Sequence, residues 1–414
     1  MSKRVVVVGG GVVGLASAYR LAAAGADVVV VESGGAGQAA SHGNAAKIAL
    51  AESAPVPAPG MIIQGLRWML KPDSPLYVRP SLAPAHVRFL LRMARYCTAT
   101  DFRRGLEATL RLAEGANDLL DEWSRDGVSF ESHQAGVLLA FESRERFDEQ
   151  TGSLEIFEAF GHIPERLHGD AVQDKEPALS PLIRHGLFFP ADRQIEPDSL
   201  TRALVKRCQE LGAEVLEHTA VQEVLRRGDR VVGVRTATRE ISCDAVVLAA
   251  GVWSGLLASR LGVAVPIRPG KGYSIDYAPG PVSLRTSLTL EDARVAVTPL
   301  DGKVRLAGTM EFGGFDLRID PRRVDAIRRA ATHAFPEWGE RHGGEPWAGL
   351  RPMTPDGLPV IGQLPSLHNA FVASGHGMLG LTLAANTAEI VVEMVLRDRT
   401  PLVAEPFSPR RFTR

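Results

Sequence analysis

Hydrophobic positions along the chain fall into two patterns. The first is a short, unbroken β-branched run bounded by glycine or charge, as in Val5 to Val8, Val28 to Val31 and Ala245 to Leu248. Such runs predict strands buried on both faces, as in a parallel sheet covered by helices. The second is an Ala- and Leu-rich stretch at helical spacing. Leu15 to Ala24, stopped by Gly25, and Leu381 to Leu396 predict helices of this kind. Strand, helix and strand therefore follow one another within residues 5–32.

From Pro55 to about Phe130 the alternation stops. Seven prolines punctuate short helical stretches, Met61 to Leu70 and Val87 to Tyr96, and a longer helix is predicted from about Asp101 to Trp123. Val137 to Phe141 and His185 to Pro190 predict strands, with a charged helix from Ser143 to Phe160 between them. A helix from Ser199 to Leu211 with Asp198 as its N-cap leads to a strand at Glu214–Leu216. Thr219 opens a run of strands with a hairpin turn at Arg226–Arg230. Residues 263–345 alternate strands and turns before a helix from Arg322 to Phe335. Gly349 to Gly362 predicts a rigid loop, and Ala370 to Ser374 a strand.

These elements predict an α/β and α+β chain with two domains. Residues 1–50, 190–262 and 346–414 are expected to form a discontinuous Rossmann-like nucleotide-binding domain. Residues 51–189 and 263–345 form a substrate domain with a mostly antiparallel sheet and inserted helices.

The first turn carries the clearest chemistry. Gly9-Gly10-Gly11-Val12-Val13-Gly14 is a G-x-G-x-x-G placed between a strand and a helix, and Glu32 ends the second strand eighteen residues after Gly14. Gly9 permits the tight turn, Gly11 lets a pyrophosphate approach the backbone, and Gly14 lets helix and strand pack closely. The helix N-terminus offers N–H groups and a positive dipole end to phosphate. Glu32 can accept the adenosine ribose hydroxyls, and it would repel a 2′-phosphate, which disfavours NADP. After Glu32 a run of small residues, Ser33 to Ala46, replaces the prompt return of strand and helix expected in an NAD enzyme. That favours the longer FAD. His42 in this loop is either a candidate base or a loop histidine beside the cofactor.

Composition narrows the classes. With 47 basic and 48 acidic residues the net charge is −1, so nothing draws the chain to nucleic acid. Three cysteines, Cys97, Cys208 and Cys243, without C-x-x-C spacing, argue against a disulfide framework or a zinc site. No apolar run reaches the ~18 residues of a spanning helix, so a cytoplasmic protein is expected. Residues 61–104 hold eight Arg or Lys and two acids. Arg67, Lys71, Arg88, Arg92 and Arg95 accompany Trp68, Met69, Phe89 and Leu90 there. This reads either as a peripheral contact with the inner face of the plasma membrane or as a solvated helical face.

The Gly9–Glu32 fingerprint, Asp244 to Ser254, Gly349 to Gly362 and Gly375 to Thr382 together resemble the FAD-dependent D-amino-acid oxidoreductases. That family includes D-amino-acid dehydrogenases, glycine oxidase and sarcosine oxidase. Ser41-His42-Gly43-Asn44-Ala45, Gly65 to Met69 and Arg268 to Ser274 are similar to the D-amino-acid dehydrogenase branch. The resemblance implies noncovalent FAD on Gly9, Gly11, Val12, Val13, Gly14, Glu32, Ser41, Asn44, Ala45, Val221, Gly251, Trp253, Gly375, Gly377, Met378, Gly380, Leu381 and Thr382. Arg351, in a Gly-x-Arg-Pro motif, would hold the substrate carboxylate, and Tyr273 would close over it. Two rival sites for the Arg351 guanidinium are ion pairs with Asp356 or Glu345.

The implied reaction is oxidation of a D-amino acid or cyclic D-imino acid by hydride transfer to flavin N5. The imino acid formed then yields keto acid and ammonia. No catalytic base is assigned, because an amine that enters neutral needs none. The electron acceptor would be a quinone or another carrier, or oxygen if the enzyme is an oxidase. A non-catalytic flavin-binding subunit is the remaining alternative.

Overall fold

The valine runs form the centre of a six-stranded sheet. Its order is Glu214–Leu216, Asp27–Val31, Arg4–Val8, Ala245–Leu248, Ala370–Ser374 and Val360–Gln363. The first five strands are mutually parallel and the last is antiparallel to its neighbour. In this computed structural model, which describes residues 2–69, 74–339 and 343–413, Val5, Val6 and Val7 have no exposed surface. Burial on both faces is what an unbroken valine run requires. Helices Val12–Ala23, Pro197–Glu210 and Gly380–Arg397 cover one face, and the two longest-range partners, Val12–Ala23 and Gly380–Arg397, pack on each other.

A nine-stranded, mostly antiparallel sheet forms the second layer. From one edge it runs Glu345–Met353, Arg268–Tyr277, Lys303–Phe312, Val295–Leu300 and Ser287–Leu290. Leu76–Val78 joins Lys303–Phe312 in parallel. Helix Pro321–Ala334 packs on the outer face through Val324, Ile327 and Ala331. The fold is thus the mixed α/β and α+β architecture that the hydrophobic pattern predicts.

Several elements differ from the sequence expectation. The helix expected from Asp101 to Trp123 is two helices, Ala99–Ala113 and Ala116–Arg125, separated at Gly115, which adopts a left-handed backbone. The apolar spacing continues through the break and hides it. The charged helix likewise divides into Arg144–Thr151 and Leu154–Ala159. Helix Pro197–Glu210 is capped by Glu196, whose Oε2 accepts the Ser199 N–H at 2.6 Å, and not by Asp198. The rigid loop expected at Gly349–Gly362 is largely strand: Glu345–Met353 and Val360–Gln363 flank a short connection. Pro352 is tolerated because Glu345–Met353 is an edge strand, where a missing N–H costs no ladder bond.

The basic helices also differ in which face they show. Phe89 is buried against Phe312, and Trp68 and Leu90 pack on the same cluster. The exposed apolar residues are instead Ile62, Ile63, Leu82, Val87 and Leu91. Leu70 and Lys71 lie outside the described residues. Among the described residues no helix is long and apolar enough to cross a membrane.

Candidate active site

A cavity of about 740 Å³ opens where the carboxyl ends of the parallel strands meet one face of the large sheet. Its floor is built by Gly9, Gly11, Val12, Val13, Glu32, Gly251, Gly377, Met378, Gly380, Leu381 and Thr382. Ser41, Asn44, Ala45, Val221 and Trp253 border it, and Arg351 reaches it from the sheet. Gly14, Gly375 and Tyr273 are not on its surface.

The three fingerprint glycines separate into two kinds. Gly9 has φ +113°, and a Cβ there would strike the Ala249 carbonyl. A Cβ at Gly14 would run into the Gly9 carbonyl oxygen, so this glycine sets the helix–strand distance. Gly11 is different. A Cβ there would meet only Ser41 Oγ, at an ordinary 3.4 Å. The protein itself therefore does not require glycine at position 11, and the open space belongs to the cavity.

Gly11 caps helix Val12–Ala23 without a side chain, and no acid lies in its first turn. The positive end of the helix dipole is left facing the cavity, which suits a phosphate. Ser41 Oγ accepts the Val12 N–H at 2.9 Å and so ties the small-residue loop to this turn. Glu32 accepts the Gly10 N–H at 2.7 Å and the Gly34 N–H at 2.8 Å. Its carboxylate is thereby fixed at the end of its strand.

The loop after Ser41 is fastened to the large sheet. Arg305 pairs with Asp276 through two bonds, at 2.6 and 2.8 Å, and donates to the His42 carbonyl at 2.7 Å. Thr298 Oγ1 donates to the Ala45 carbonyl at 2.7 Å. The His42 ring does not line the cavity. Its Nδ1 lies 2.8 Å from Asp198 Oδ2, and its edge packs on Trp347. Asp198, expected as a helix cap, holds His42 instead.

Arg351 is the site's least compensated charge. Its Nη1 donates to the Thr309 carbonyl at 2.7 Å, and Met310 Sδ lies 4.0 Å away. Among the described residues it has no carboxylate partner. Asp356 is committed to Arg411 at 2.6 Å, and Glu345 is exposed at the far end of the strand. Desolvation lowers the Arg351 pKa to about 10. A buried cation without an anion is costly, and binding an anion offsets that cost.

The backbone around Arg351 is shaped to present it. Lys271 pairs with Glu311 and Tyr273 with Gly308, so Gly272 faces two residues, Thr309 and Met310, in a β-bulge. A Cβ at Gly272 would occupy the space of the Arg351 guanidinium. Thr309 has φ +65°, a genuine outlier for a β-branched residue, and its carbonyl leaves the ladder to receive Arg351. Strain of this sort persists where surrounding structure enforces it, and it clusters at functional sites.

Tyr273 does not close over Arg351. Side chains alternate along a strand, so with Gly272 facing the cavity Tyr273 faces away. It is 1% exposed, and its hydroxyl donates to Glu311 Oε2 at 3.1 Å. Asn44 also turns from the cavity centre: its side chain bonds the Ser41 carbonyl and the Ala46 N–H, each at 2.7 Å.

Several cavity residues carry no sequence signal. Lys47 Nζ lies 2.6 Å from both Glu52 Oε1 and Thr289 Oγ1, and Glu52 also accepts the Thr289 hydroxyl. Glu291 pairs with Arg294 at 2.6 Å, and burial raises its pKa. Thr289 meets Lys47 and Glu52 from more than 200 positions away, so no local pattern marks that cluster. His376, between the two predicted glycines, is buried and its pKa falls to about 3, so the ring is neutral. Its Nε2 meets Thr387 Oγ1 at 3.0 Å. Among the described residues the one cluster with metal-ligand geometry, Glu131, His133 and Asp301, lies outside this cavity. The three cysteines are free, and burial pushes Cys208 and Cys243 up to about 12.

A parallel sheet with a glycine turn, a fixed strand-end acid and an acid-free helix N-terminus facing the cavity defines a dinucleotide-binding fold. Comparison with known proteins takes this one step further: residues 4–394 match the FAD dependent oxidoreductase family, and the chain belongs to it. FAD is its cofactor, and the residues around Gly11 fit that group. The chain is 33% identical over 407 residues to a D-amino acid dehydrogenase of Granulibacter bethesdensis, covering 96% of each. It is 35% identical over 402 residues to one from Cereibacter sphaeroides, covering 95% of this chain and 91% of that one. Among solved structures it is similar to glycine oxidase from Geobacillus kaustophilus, with TM-score 0.76, 24% identity and 98% of each chain covered. L-proline dehydrogenase from P. horikoshii gives TM-score 0.77 at 22% identity, covering 100% of this chain and 98% of that one. These likenesses show the fold.

Proposed function

We propose that this enzyme is a D-amino-acid dehydrogenase that oxidises a D-amino acid, or a cyclic D-imino acid, at Cα. The observation that carries the reading is the desolvated, unpaired Arg351 guanidinium in the same cavity as the dinucleotide cradle. The relatives named D-amino acid dehydrogenase support the substrate class.

Bound FAD supplies the two-electron acceptor for the Cα–H hydride. The glycine turn and the Val12–Ala23 N-terminus would hold its pyrophosphate, Glu32 its ribose, and the Gly377–Thr382 segment its ring end. Arg351 binds the substrate carboxylate through two parallel donors and so orients the Cα–H. Thr309 and Gly272 keep the guanidinium in place. The neutral His376 adds no charge to the cavity. The oxidised product is an imino acid, and water converts it to keto acid and ammonia.

Electrons then pass to a separate carrier, for which a quinone is the proposed class. Exposed Ile62, Ile63, Leu82, Val87 and Leu91, near Arg67, Arg88 and Arg95, support a peripheral contact with an anionic membrane. Salt-sensitive binding to anionic vesicles, lost in Arg88→Glu, checks this; no binding at low salt removes it.

The carboxylate role is tested with an amino acid and its decarboxylated amine. Arg351→Lys keeps the charge but loses the paired donors, so kcat/KM for the amino acid should fall while the amine is little changed. Equal losses on both substrates would place the carboxylate elsewhere.

A further inference from the structure

The cavity is not uniform in character, and its two ends differ next to Arg351. On one side Met310, 4.0 Å from the Arg351 guanidinium, pairs with Leu76 across the sheet. Val56, Met61 and Trp68 pack on the buried cluster that contains that pair, and all five residues line the cavity. None of these five side chains is charged. The charged cavity residues Lys47, Glu52, Glu291 and Arg294 gather around Thr289 on Ser287–Leu290. That strand lies two places from Lys303–Phe312 in the sheet order. Two strand spacings put Thr289 about 10 Å from the Thr309–Met310 bulge; Arg294, whose carbonyl lies beside Gly308, is nearer, but its guanidinium is held by Glu291 at 2.6 Å.

A substrate anchored at Arg351 by its carboxylate has its side chain within a few ångströms of that anchor. We propose that Val56, Met61, Trp68, Leu76 and Met310 form its side-chain subsite, so that this enzyme selects amino acids with apolar side chains. The inference rests on Arg351 as the carboxylate anchor. Helix Met61–Met69 contributes two of the walls and lies over the subsite. A charged side chain entering there loses its hydration and gains no partner, whereas a branched aliphatic chain exchanges water for thioether, indole and methyl surface. Discrimination of this sort works strongly against charge and only modestly between apolar chains that differ by one methylene.

The test compares D-alanine, D-leucine, D-glutamate and D-lysine as substrates of the FAD-loaded enzyme, in wild type and in Trp68→Ala. D-leucine should exceed D-glutamate and D-lysine in kcat/KM on the order of 100-fold. Trp68→Ala should lower the preference for D-leucine over D-alanine by about tenfold, because only the longer side chain uses the lost indole surface. A Met61→Glu variant, altered at a partly exposed position, should improve D-lysine relative to D-leucine. Wild-type turnover of D-glutamate or D-lysine equal to that of D-leucine would overturn the subsite while leaving the proposed activity intact. So would an unchanged leucine-to-alanine ratio in Trp68→Ala. If no D-amino acid reduces the flavin, the proposed activity fails first and the subsite with it.

Discussion

Replacing Arg351 by Met should separate stability from activity. The guanidinium pKa falls from the ordinary arginine value to about 10 through desolvation alone. At about 1.4 kcal/mol for each pKa step, the difference corresponds to about 3 kcal/mol charged against keeping the cation there. The sign follows from linkage. The folded-state pKa lies below the unfolded value, so the penalty is complete below pH 10 and disappears as pH rises from about 10 toward the ordinary arginine value. At neutral pH the whole penalty is present. Methionine removes it, matches the length of the arginine stem and packs against Met310. It also forfeits the bond to the Thr309 carbonyl, worth about 1.5–3 kcal/mol for a charged donor. The two effects nearly cancel, so Arg351→Met should be as stable as wild type or somewhat more so. Substrate binding should suffer in full. Losing a charged partner costs about 2–5 kcal/mol, which is roughly 30- to several-thousand-fold in kcat/KM. The assay pairs thermal unfolding in saturating FAD with steady-state kinetics on a D-amino acid. If Arg351→Met unfolds far below wild type while its kcat/KM for amino acid and decarboxylated amine falls equally, Arg351 is structural and the reasoning is refuted.

Three further outcomes are expected. Gly11→Val should fold yet purify without flavin, because its side chain enters the cavity, whereas Gly14→Val should fail to fold because it strikes the Gly9 carbonyl; flavin content and circular dichroism distinguish them, and full flavin in Gly11→Val would exclude the cradle. Wild-type kcat/KM should decline as pH rises through about 10, where Arg351 loses its proton, and Arg351→Met should lack that limb. Burial raises Asp192 from 3.8 to about 7 against two backbone N–H bonds, so stability should fall as pH rises from about 4 to 7; Asp192→Asn should flatten that slope in pH-dependent unfolding, and an unchanged slope would assign it to other groups.

The parts of the fold legible in the sequence are those where one local rule acts alone. Val5–Val8 and Val28–Val31 leave no alternative to buried strands, and Gly9 to Glu32 encodes a ligand cradle within one strand–helix–strand unit. Arg351 stands out by the stiff loop expected around Pro352, although the reason it is presented is a bulge at Thr309 in another strand. That bulge depends on pairing between Arg268–Tyr277 and Lys303–Phe312, which spacing does not reveal. Tyr273 was expected at the site, yet period-two alternation puts it opposite Gly272. Breaks at Gly115 and Gly152 stay hidden because apolar spacing persists through them. Lys47, Glu52 and Thr289 are assembled only by tertiary packing across more than two hundred positions.

The central claim is that a D-amino acid delivers its electrons to FAD held in this cavity. It is tested most directly by mixing purified FAD-loaded enzyme anaerobically with D-leucine or L-leucine and following the visible flavin absorbance. D-leucine should bleach the flavin and yield the keto acid and ammonia in equal amounts, and L-leucine should leave the spectrum unchanged. A flavin that stays oxidised with every D-amino acid, or that is bleached only by the L-enantiomer, would contradict the account.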